Sequence, residues 1–200
     1  MNFLAHLYLS GDEEELIIGN FIADMVKGQQ INGYGKGVVD GIRLHRKIDR
    51  YTDSHPVFLR SKERLRKKYR LYSGVVVDMY YDHFLSKHWS RYSHHQLETY
   101  VDKAYGLLES HFDDLPPRAQ YILPFMIEHN WLVHYADLGR LGRHFAGMAR
   151  RTPFDSGMER AVEDLRAHYD AFEGEFAEFF PELVNYVASQ GVSHAHHRNG

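Results

Sequence analysis

Cysteine is missing from this 200-residue chain, and proline is scarce, with six copies. Without thiols the chain has no disulfide framework, no thiolate zinc or iron–sulfur site and no cysteine nucleophile. Sixteen glycines are too few for a fibrous or linker-rich protein. No stretch approaches the ~18 consecutive apolar residues that a membrane span requires. These absences indicate a globular protein whose chemistry uses oxygen and nitrogen groups.

An excess of basic charge is also missing, because 24 lysines and arginines stand against 27 aspartates and glutamates, for a net charge of −3. This balance disfavours a globally basic nucleic-acid binder, and we expect neither a nucleic-acid nor a membrane partner. No lysine or arginine precedes the apolar N-terminal run, and four acids follow it at 12–15, unlike an export signal. We therefore expect a soluble, cytoplasmic protein.

Helical periodicity, in contrast, runs through nearly the whole sequence, and 44% of the residues are hydrophobic. The one β-branched run, at 75–77, is too short to indicate a strand. No repeat or linker interrupts the pattern, which predicts a single irregular all-α domain over 1–190 and a disordered tail over 191–200. The predicted helices span about 12–28, 38–55, 56–72, 74–92, 95–112, 117–135 with a kink at Pro124, 137–150 and 155–186.

Several polar residues fall on helix faces that the spacing would bury. The second predicted helix has an inward stripe spaced +4, +3 and +4, which runs Val38, Ile42, His45, Asp49. Asp24 shares a predicted face with apolar residues of its helix, and His6 lies inside the apolar N-terminal run. Asp78 and Asp82 share a face of the fourth predicted helix, with His83 adjacent.

Ionised carboxylates on such faces are costly, since each loses several kcal/mol of hydration unless a partner compensates it. A single acid could pair with an arginine at 43, 46 or 50, and a lone buried His or Asp is most often a hydrogen-bonded core residue. Asp78 and Asp82, however, repel each other at i,i+4 without a cation. Together these groups predict a metal or phosphate centre. A ligand set of nitrogen and oxygen suits manganese, iron or magnesium better than structural zinc.

Charge of each sign is concentrated in one segment. Residues 60–70 hold seven bases against one acid, and residues 155–182 hold nine acids against two arginines. Both segments are typical of solvated helix faces. The basic segment alternatively predicts docking to an acidic partner, either nucleic acid or an acidic protein. Other catalytic patterns are weak, because the glycines at 33–41 lack the Gly-Lys-Ser/Thr end of a phosphate-binding loop.

Four ordered segments resemble the acyl carrier protein phosphodiesterase family, also called holo-acyl-carrier-protein hydrolases. They read MNFLAH at 1–6, GNFIAD at 19–24, GIRLHRKID at 41–49 with Thr-Asp at 52–53, and DHFL at 82–85 with Trp89. The resemblance covers most of the chain, with the poorest match after about Ala188. It implies a cytoplasmic enzyme that removes the 4′-phosphopantetheine arm from the serine of holo-acyl carrier protein, releasing apo-carrier and free 4′-phosphopantetheine. It also implies dependence on a divalent metal, typically Mn²⁺, with Mg²⁺ or Fe²⁺ as alternatives.

The family looks like a distorted relative of the HD hydrolases, so an HD-hydrolase-like helical fold is expected, although this chain has only the reversed pair Asp82-His83. On this resemblance we expect the metal ligands to be Asp24, His45, Asp49, Asp82 and His6. Asp78 is expected to bind the metal or orient the attacking water, and His83 to protonate the leaving serine oxygen or support a ligand. Arg46 is expected either to clamp the phosphate or to pair with a neighbouring aspartate. The acidic carrier protein is expected to dock on Arg60, Lys62, Arg64, Arg66, Lys67, Lys68 and Arg70.

Two alternatives remain open at the level of sequence. One is an HD-type metal phosphohydrolase acting on a small nucleotide, with the basic segment binding nucleotide or RNA. The other is a non-catalytic helical adaptor, in which each buried acid pairs with an arginine.

Overall fold

Helices account for most of residues 1–192, the part of the chain that the computed structural model describes, and no strand occurs within it. Short 3₁₀ turns connect several of the helices. The α-helices are α1 (Phe3–Leu9), α2 (Glu14–Ile22), α3 (Lys36–Ser54), α4 (Pro56–Tyr69), α5 (Ser73–Lys87), α6 (Leu97–Ser110), α7 (Pro117–Glu128), α8 (Trp131–His134), α9 (Leu138–Ala149), α10 (Ala161–Ala167) and α11 (Tyr169–Ser189). The prediction of an all-α domain is confirmed, while the predicted tail lies, apart from residues 191–192, outside the described residues.

The core is built around α5, which is buried along most of its length. A helix that is apolar nearly all round must be enclosed by other elements, and α11 supplies much of the cover. Tyr80 packs edge-on against Phe172, with ring centroids 4.9 Å apart, and Tyr81 packs edge-on against Phe176 at 5.7 Å. Within the described range, no helix combines the length and the apolar character needed to cross a membrane.

One predicted helix end was wrong because the chain turns several residues before Tyr135. The expected helix over 117–135 continues through Pro124 and ends at Glu128. Pro124 lies on the exposed side of α7, where solvent can satisfy the carbonyl that its missing N–H leaves open. The chain instead turns at Asn130, which has a left-handed φ of 43°.

Two other predicted helices are shorter than expected. The first ends at Ile22 and passes into the 3₁₀ turn Ala23–Met25, so that Asp24 leaves the helical face on which the periodicity placed it. The last is divided: a 3₁₀ turn follows Gly157, whose φ is 66°, and His168 separates α10 from α11.

The crossing of α2 and α3 is unusually close because a glycine lies on each helix at the contact. A Cβ atom at Gly19 would come within 2.0 Å of the Val38 carbonyl oxygen, and one at Gly41 within 2.5 Å of the Leu16 carbonyl oxygen. No other residue fits there without a shift of backbone. The crossing brings Asn20, the residue after Gly19, close to the part of α3 that follows Gly41.

Candidate functional site

Three side chains from α1 and α3 converge on one point. The Nε2 atoms of His6 and His45 lie 3.2 Å and 3.1 Å from the two carboxylate oxygens of Asp49. The two imidazole rings are stacked, with centroids 3.9 Å apart and an angle of 15° between their planes. One ligand atom from each residue lies within 4.8 Å of the other two. This spacing is suitable for a single metal ion.

Asn20, on α2, fixes the orientation of both rings. Its Nδ2 donates to the His6 carbonyl oxygen at 3.0 Å and to Ser10 Oγ at 2.8 Å, which leaves Oδ1 as an acceptor. Oδ1 then accepts from Nδ1 of His6 at 2.8 Å and from Nδ1 of His45 at 2.9 Å. Both Nδ1 atoms therefore carry hydrogen, and the Nε2 atom of each ring faces Asp49. Histidines that bind metals are held by outer hydrogen bonds of this kind.

The two Nε2 atoms are buried and form no hydrogen bond within residues 1–192. Buried polar atoms without a partner are uncommon, and these two face a carboxylate, which repels a lone pair unless a proton or a cation lies between them. Burial, together with the charge of His45, lowers the pKa of His6 to about 4. Burial also opposes protonation of His45, but the carboxylates of Asp24 and Asp49 beside its Nε2 outweigh it and raise its pKa to about 9 in the absence of a metal. The donor set thus fits a divalent cation.

Asp24 lies at the solvent edge of this cluster rather than on a buried stripe, so the prediction that it faces the core was wrong. Its side chain is 80% exposed, yet its Oδ1 lies 3.3 Å from Nε2 of His45. The nearby imidazole of His45 holds the pKa of Asp24 below its usual value. Asp24 is therefore near enough to complete a ligand set from the open side.

Asp82 is not brought into the cluster, because its carboxylate caps the N-terminus of α1. It is fully buried and accepts the backbone N–H groups of Leu4 at 2.8 Å and of Asn2 and Ala5 at 3.3 Å. Burial raises its pKa to about 7 although these N–H groups favour the charged form. A carboxylate at this position stabilises α1, the helix that carries His6.

Asp78 has a cationic partner that the side-chain pattern did not reveal. Its Oδ1 lies 2.7 Å from the α-amino group of Met1, which is also 3.9 Å from Oδ1 of Asp49. Burial raises the pKa of Asp78 even though the amino group opposes the shift. This buried ammonium, which also stabilises the charge of Asp82, supplies positive charge among the aspartates.

The ring nitrogens of His83 are occupied by hydrogen bonds, whereas the guanidinium of Arg46 has no ion pair within the described chain. Nδ1 of His83 donates to the Tyr135 carbonyl oxygen at 2.9 Å, and its Nε2 lies 2.8 Å from the hydroxyl of Tyr169, so both ring nitrogens are engaged in the core. Burial lowers the pKa of this ring. Arg46 is exposed on α3 beside His45 and makes no ion pair within the described chain, so its expected pairing with a neighbouring aspartate does not occur.

Part of the basic segment binds the acidic segment of the same chain. Glu175 on α11 is only 5% exposed; Arg64 donates to both of its oxygens, at 2.7 and 2.9 Å, and Arg60 donates at 3.1 Å. Lys68 lies 2.6 Å from Asp164. Three of the predicted docking residues therefore hold α4 against α10 and α11. Among residues 1–192, no carboxylate pairs with Lys62, Lys67 or Arg70, and Arg66 pairs with Glu63 on its own helix.

The arginine pairs expected of an adaptor are absent from the aspartates of interest. Within the described residues, no arginine forms an ion pair with Asp24, Asp49, Asp78 or Asp82. Their partners are imidazoles, backbone N–H groups and an amino group.

Comparison with known proteins adds an independent line of evidence. A family model described as "Acyl carrier protein phosphodiesterase" matches residues 1–183. A protein of that name from Photorhabdus laumondii is 35% identical over 185 residues, which is 92% of this chain and 93% of that protein. Those from an Enterobacter species and Salmonella agona are 36% and 34% identical, over 92% and 96% of this chain and 96% and 100% of theirs. No solved structure matches, so the expected likeness to HD hydrolases stays a prediction.

Proposed function

The chain belongs to the acyl carrier protein phosphodiesterase family of phosphoric diester hydrolases, and from that premise we propose that it hydrolyses the bond between 4′-phosphopantetheine and the serine of holo-acyl carrier protein. The products are apo-carrier and free 4′-phosphopantetheine. The observation that carries the proposal is the pair of orphaned Nε2 atoms, on His6 and His45, that face the carboxylate of Asp49.

The proposed cofactor is a divalent metal, Mn²⁺ in the first place, with Mg²⁺ or Fe²⁺ as alternatives. His6, His45 and Asp49 would hold it, with Asp24 on the open side. Nitrogen and carboxylate donors without sulfur suit these metals. When bound, such an ion neutralises phosphate charge and activates water for attack on phosphorus.

The substrate enters from the side of the cluster on which Asp24 and Asp49 are exposed. The Asp49 side chain is 39% exposed, whereas both imidazoles are buried behind it. Arg46 is exposed and has no internal ion pair in the described chain, and we propose that it donates to the non-bridging oxygens of the phosphodiester. His83 acts through packing, because neither ring nitrogen is free to protonate a leaving group.

The scissile phosphate is attached directly to the carrier protein, so the docking surface must adjoin the metal centre. A groove of about 690 Å³ has three basic residues in its lining and one acid, and it is lined by Leu59, Lys62, Glu63, Arg66, Arg70, Leu71 and Ser73. Lys62 Nζ would lie 3.7 Å from a Cβ on Gly74, and Asp78 follows Gly74 by one turn of α5. We assign the acidic carrier protein to this groove, with Lys67 beside it. Such docking weakens as salt rises.

A mass-spectrometric assay tests the proposal. Incubated with holo-acyl carrier protein and Mn²⁺, the enzyme should cause a mass loss equal to 4′-phosphopantetheine, and a chelator should abolish the reaction. Asp49→Asn should reduce turnover at least a hundredfold. Asp40→Asn is the matched control, because Asp40 lies on the same helix but pairs with Lys36 at the surface. An unchanged carrier mass with Mn²⁺, Mg²⁺ and Fe²⁺ would contradict the proposal. Turnover of nucleotides in its place would support the small-nucleotide alternative.

A further inference from the structure

A second basic site lies away from the candidate metal centre, in a cleft of about 560 Å³ formed by the end of α7, by α8 and by α9. It shares no lining residue with the His6–His45–Asp49 cluster or with the groove on α4. Its lining is dominated by cations and rings, which include Arg140, Arg143, Arg150, Arg151, His144 and Trp131.

The cleft arises from the amphipathic pattern of α9. Leu141 and Phe145 are fully buried and fix one side of the helix against the core. Arg140, Arg143 and Arg150 recur on the other side at a helical spacing, so the helix presents a row of guanidinium groups to the cleft. These charges lie together because the opposite, apolar face of α9 packs against the core.

These arginines lack the counter-ions that other arginines of the chain have. Within residues 1–192, none of the four cleft arginines forms an ion pair with a carboxylate, whereas Arg60 and Arg64 both pair with Glu175. Glu128 is the one acid in the cleft lining. Several neighbouring cations with a single acid focus a positive potential into a concave space, and such a potential attracts anions.

The surroundings of His144 also show an excess of positive charge in the cleft. Its ring packs edge-on against Trp131 at 4.8 Å and against Tyr135 at 5.4 Å. Burial, together with the charges of Arg143 and Arg151, lowers its pKa to about 4. The imidazole is therefore neutral at pH 7 and is held by two aromatic rings on the cleft wall.

We propose that this cleft binds a small molecule carrying a diphosphate or polyphosphate group. Guanidinium groups match phosphate oxygens with paired hydrogen bonds, and a set of four calls for more negative charge than one carboxylate offers. The volume is within the range of about 300–1,000 Å³ that is usual for small-molecule sites. The concave shape favours a small ligand over a nucleic acid, which needs an extended basic surface. The site is separate from the proposed phosphodiesterase function.

Isothermal titration calorimetry of the whole chain with sodium pyrophosphate tests this, with EDTA present so that no metal recruits the ligand to the other site. Wild-type protein should bind, and Arg143→Gln should raise the dissociation constant at least tenfold, since one charge-assisted pair contributes about that much. Arg118→Gln is the matched control: it removes the same charge from an exposed position on α7 outside the cleft, and should change the constant less than twofold.

Further arms separate the sources and the alternatives. ADP that binds more tightly than pyrophosphate would assign a nucleotide, with its base near Trp131; equal affinity would assign the diphosphate alone. Arg151→Gln repeats the test with a residue that is exposed, and circular dichroism confirms that each variant folds. Absence of binding at millimolar pyrophosphate would overturn the proposal, as would equal binding by wild type and Arg143→Gln. Binding of an oligonucleotide or an acidic protein through Arg143, without pyrophosphate binding, would overturn it too.

Discussion

The substitution Gly41→Ala tests the close crossing of α2 and α3 on which the candidate site depends. The added Cβ would lie 2.5 Å from the Leu16 carbonyl oxygen, about 0.9 Å inside the 3.4 Å at which ordinary contact begins. A backbone oxygen cannot rotate away, so the cost is near the upper end of overpacking, about 3 kcal/mol. Replacing glycine by alanine within a helix returns about 1 kcal/mol. The net expectation is a loss of about 2 kcal/mol of stability.

The matched control is Gly106→Ala on α6, where a Cβ would meet nothing within 4 Å. That variant should gain about 0.5–1 kcal/mol. Urea titrations measure the change in stability of both variants, provided that the dependence of the unfolding free energy on urea has the same slope in each. The expected fall in Tm for Gly41→Ala is about 4–8 °C. Gly41→Ala should also weaken Mn²⁺ binding about tenfold or more, because it displaces His45 from Asn20. Equal stability of the two variants would refute the reasoning.

Three further predictions address individual residues. Asp82→Asn should lose about 1–2 kcal/mol of stability yet keep its Mn²⁺ affinity in calorimetry, because Asp82 caps α1. Asp49→Asn should lose Mn²⁺ affinity. Loss of metal with unchanged stability in Asp82→Asn would instead identify Asp82 as a ligand. In metal-free protein, protonated His45 stabilises the fold because its pKa is raised to about 9. This stabilisation is fully present below pH 6.5 and is lost as pH rises through 9. The difference in urea midpoint between wild type and His45→Gln should shrink over that interval, and a constant difference would contradict the assignment. Arg64→Ala should cost about 2–3 kcal/mol of stability in a urea titration, since it breaks the largely buried ion pair with Glu175. Lys67→Ala on the same helix should change stability by less than about 0.5 kcal/mol. Similar losses in the two variants would contradict this prediction.

Most of the fold could be predicted from periodicity, and its exceptions have local causes. The inward stripe of α3 is correct in its middle, where Ile42 and His45 are buried because a long helix enforces its spacing, while Val38 and Asp49 at its two ends are partly exposed. Asp24 escaped the same rule since α2 ends at Ile22, and a 3₁₀ turn carries the side chain outward. The helix that contains Pro124 continues through it as predicted but ends at Glu128, because the chain turns at Asn130, which has a left-handed φ.

The candidate site was only partly readable from side-chain types. His6, His45 and Asp49 lie together as predicted, but Asn20 was not singled out. The sequence offered one signal for Asn20: it lies four residues before Asp24, on the same face of the predicted helix. It also follows Gly19 directly, which marks a close helix contact. The partner of Asp78 could not be read from side chains, since it is the main-chain amino group of Met1.

Electron–nuclear double resonance on the Mn²⁺-loaded protein, with ¹⁵N in its histidine rings, tests the central claim most directly. Two nitrogen couplings are predicted, one from each of the buried Nε2 atoms that face Asp49. His6→Gln and His45→Gln should each remove one coupling. Bound Mn²⁺ without any nitrogen coupling, or with couplings that survive both substitutions, would contradict the account.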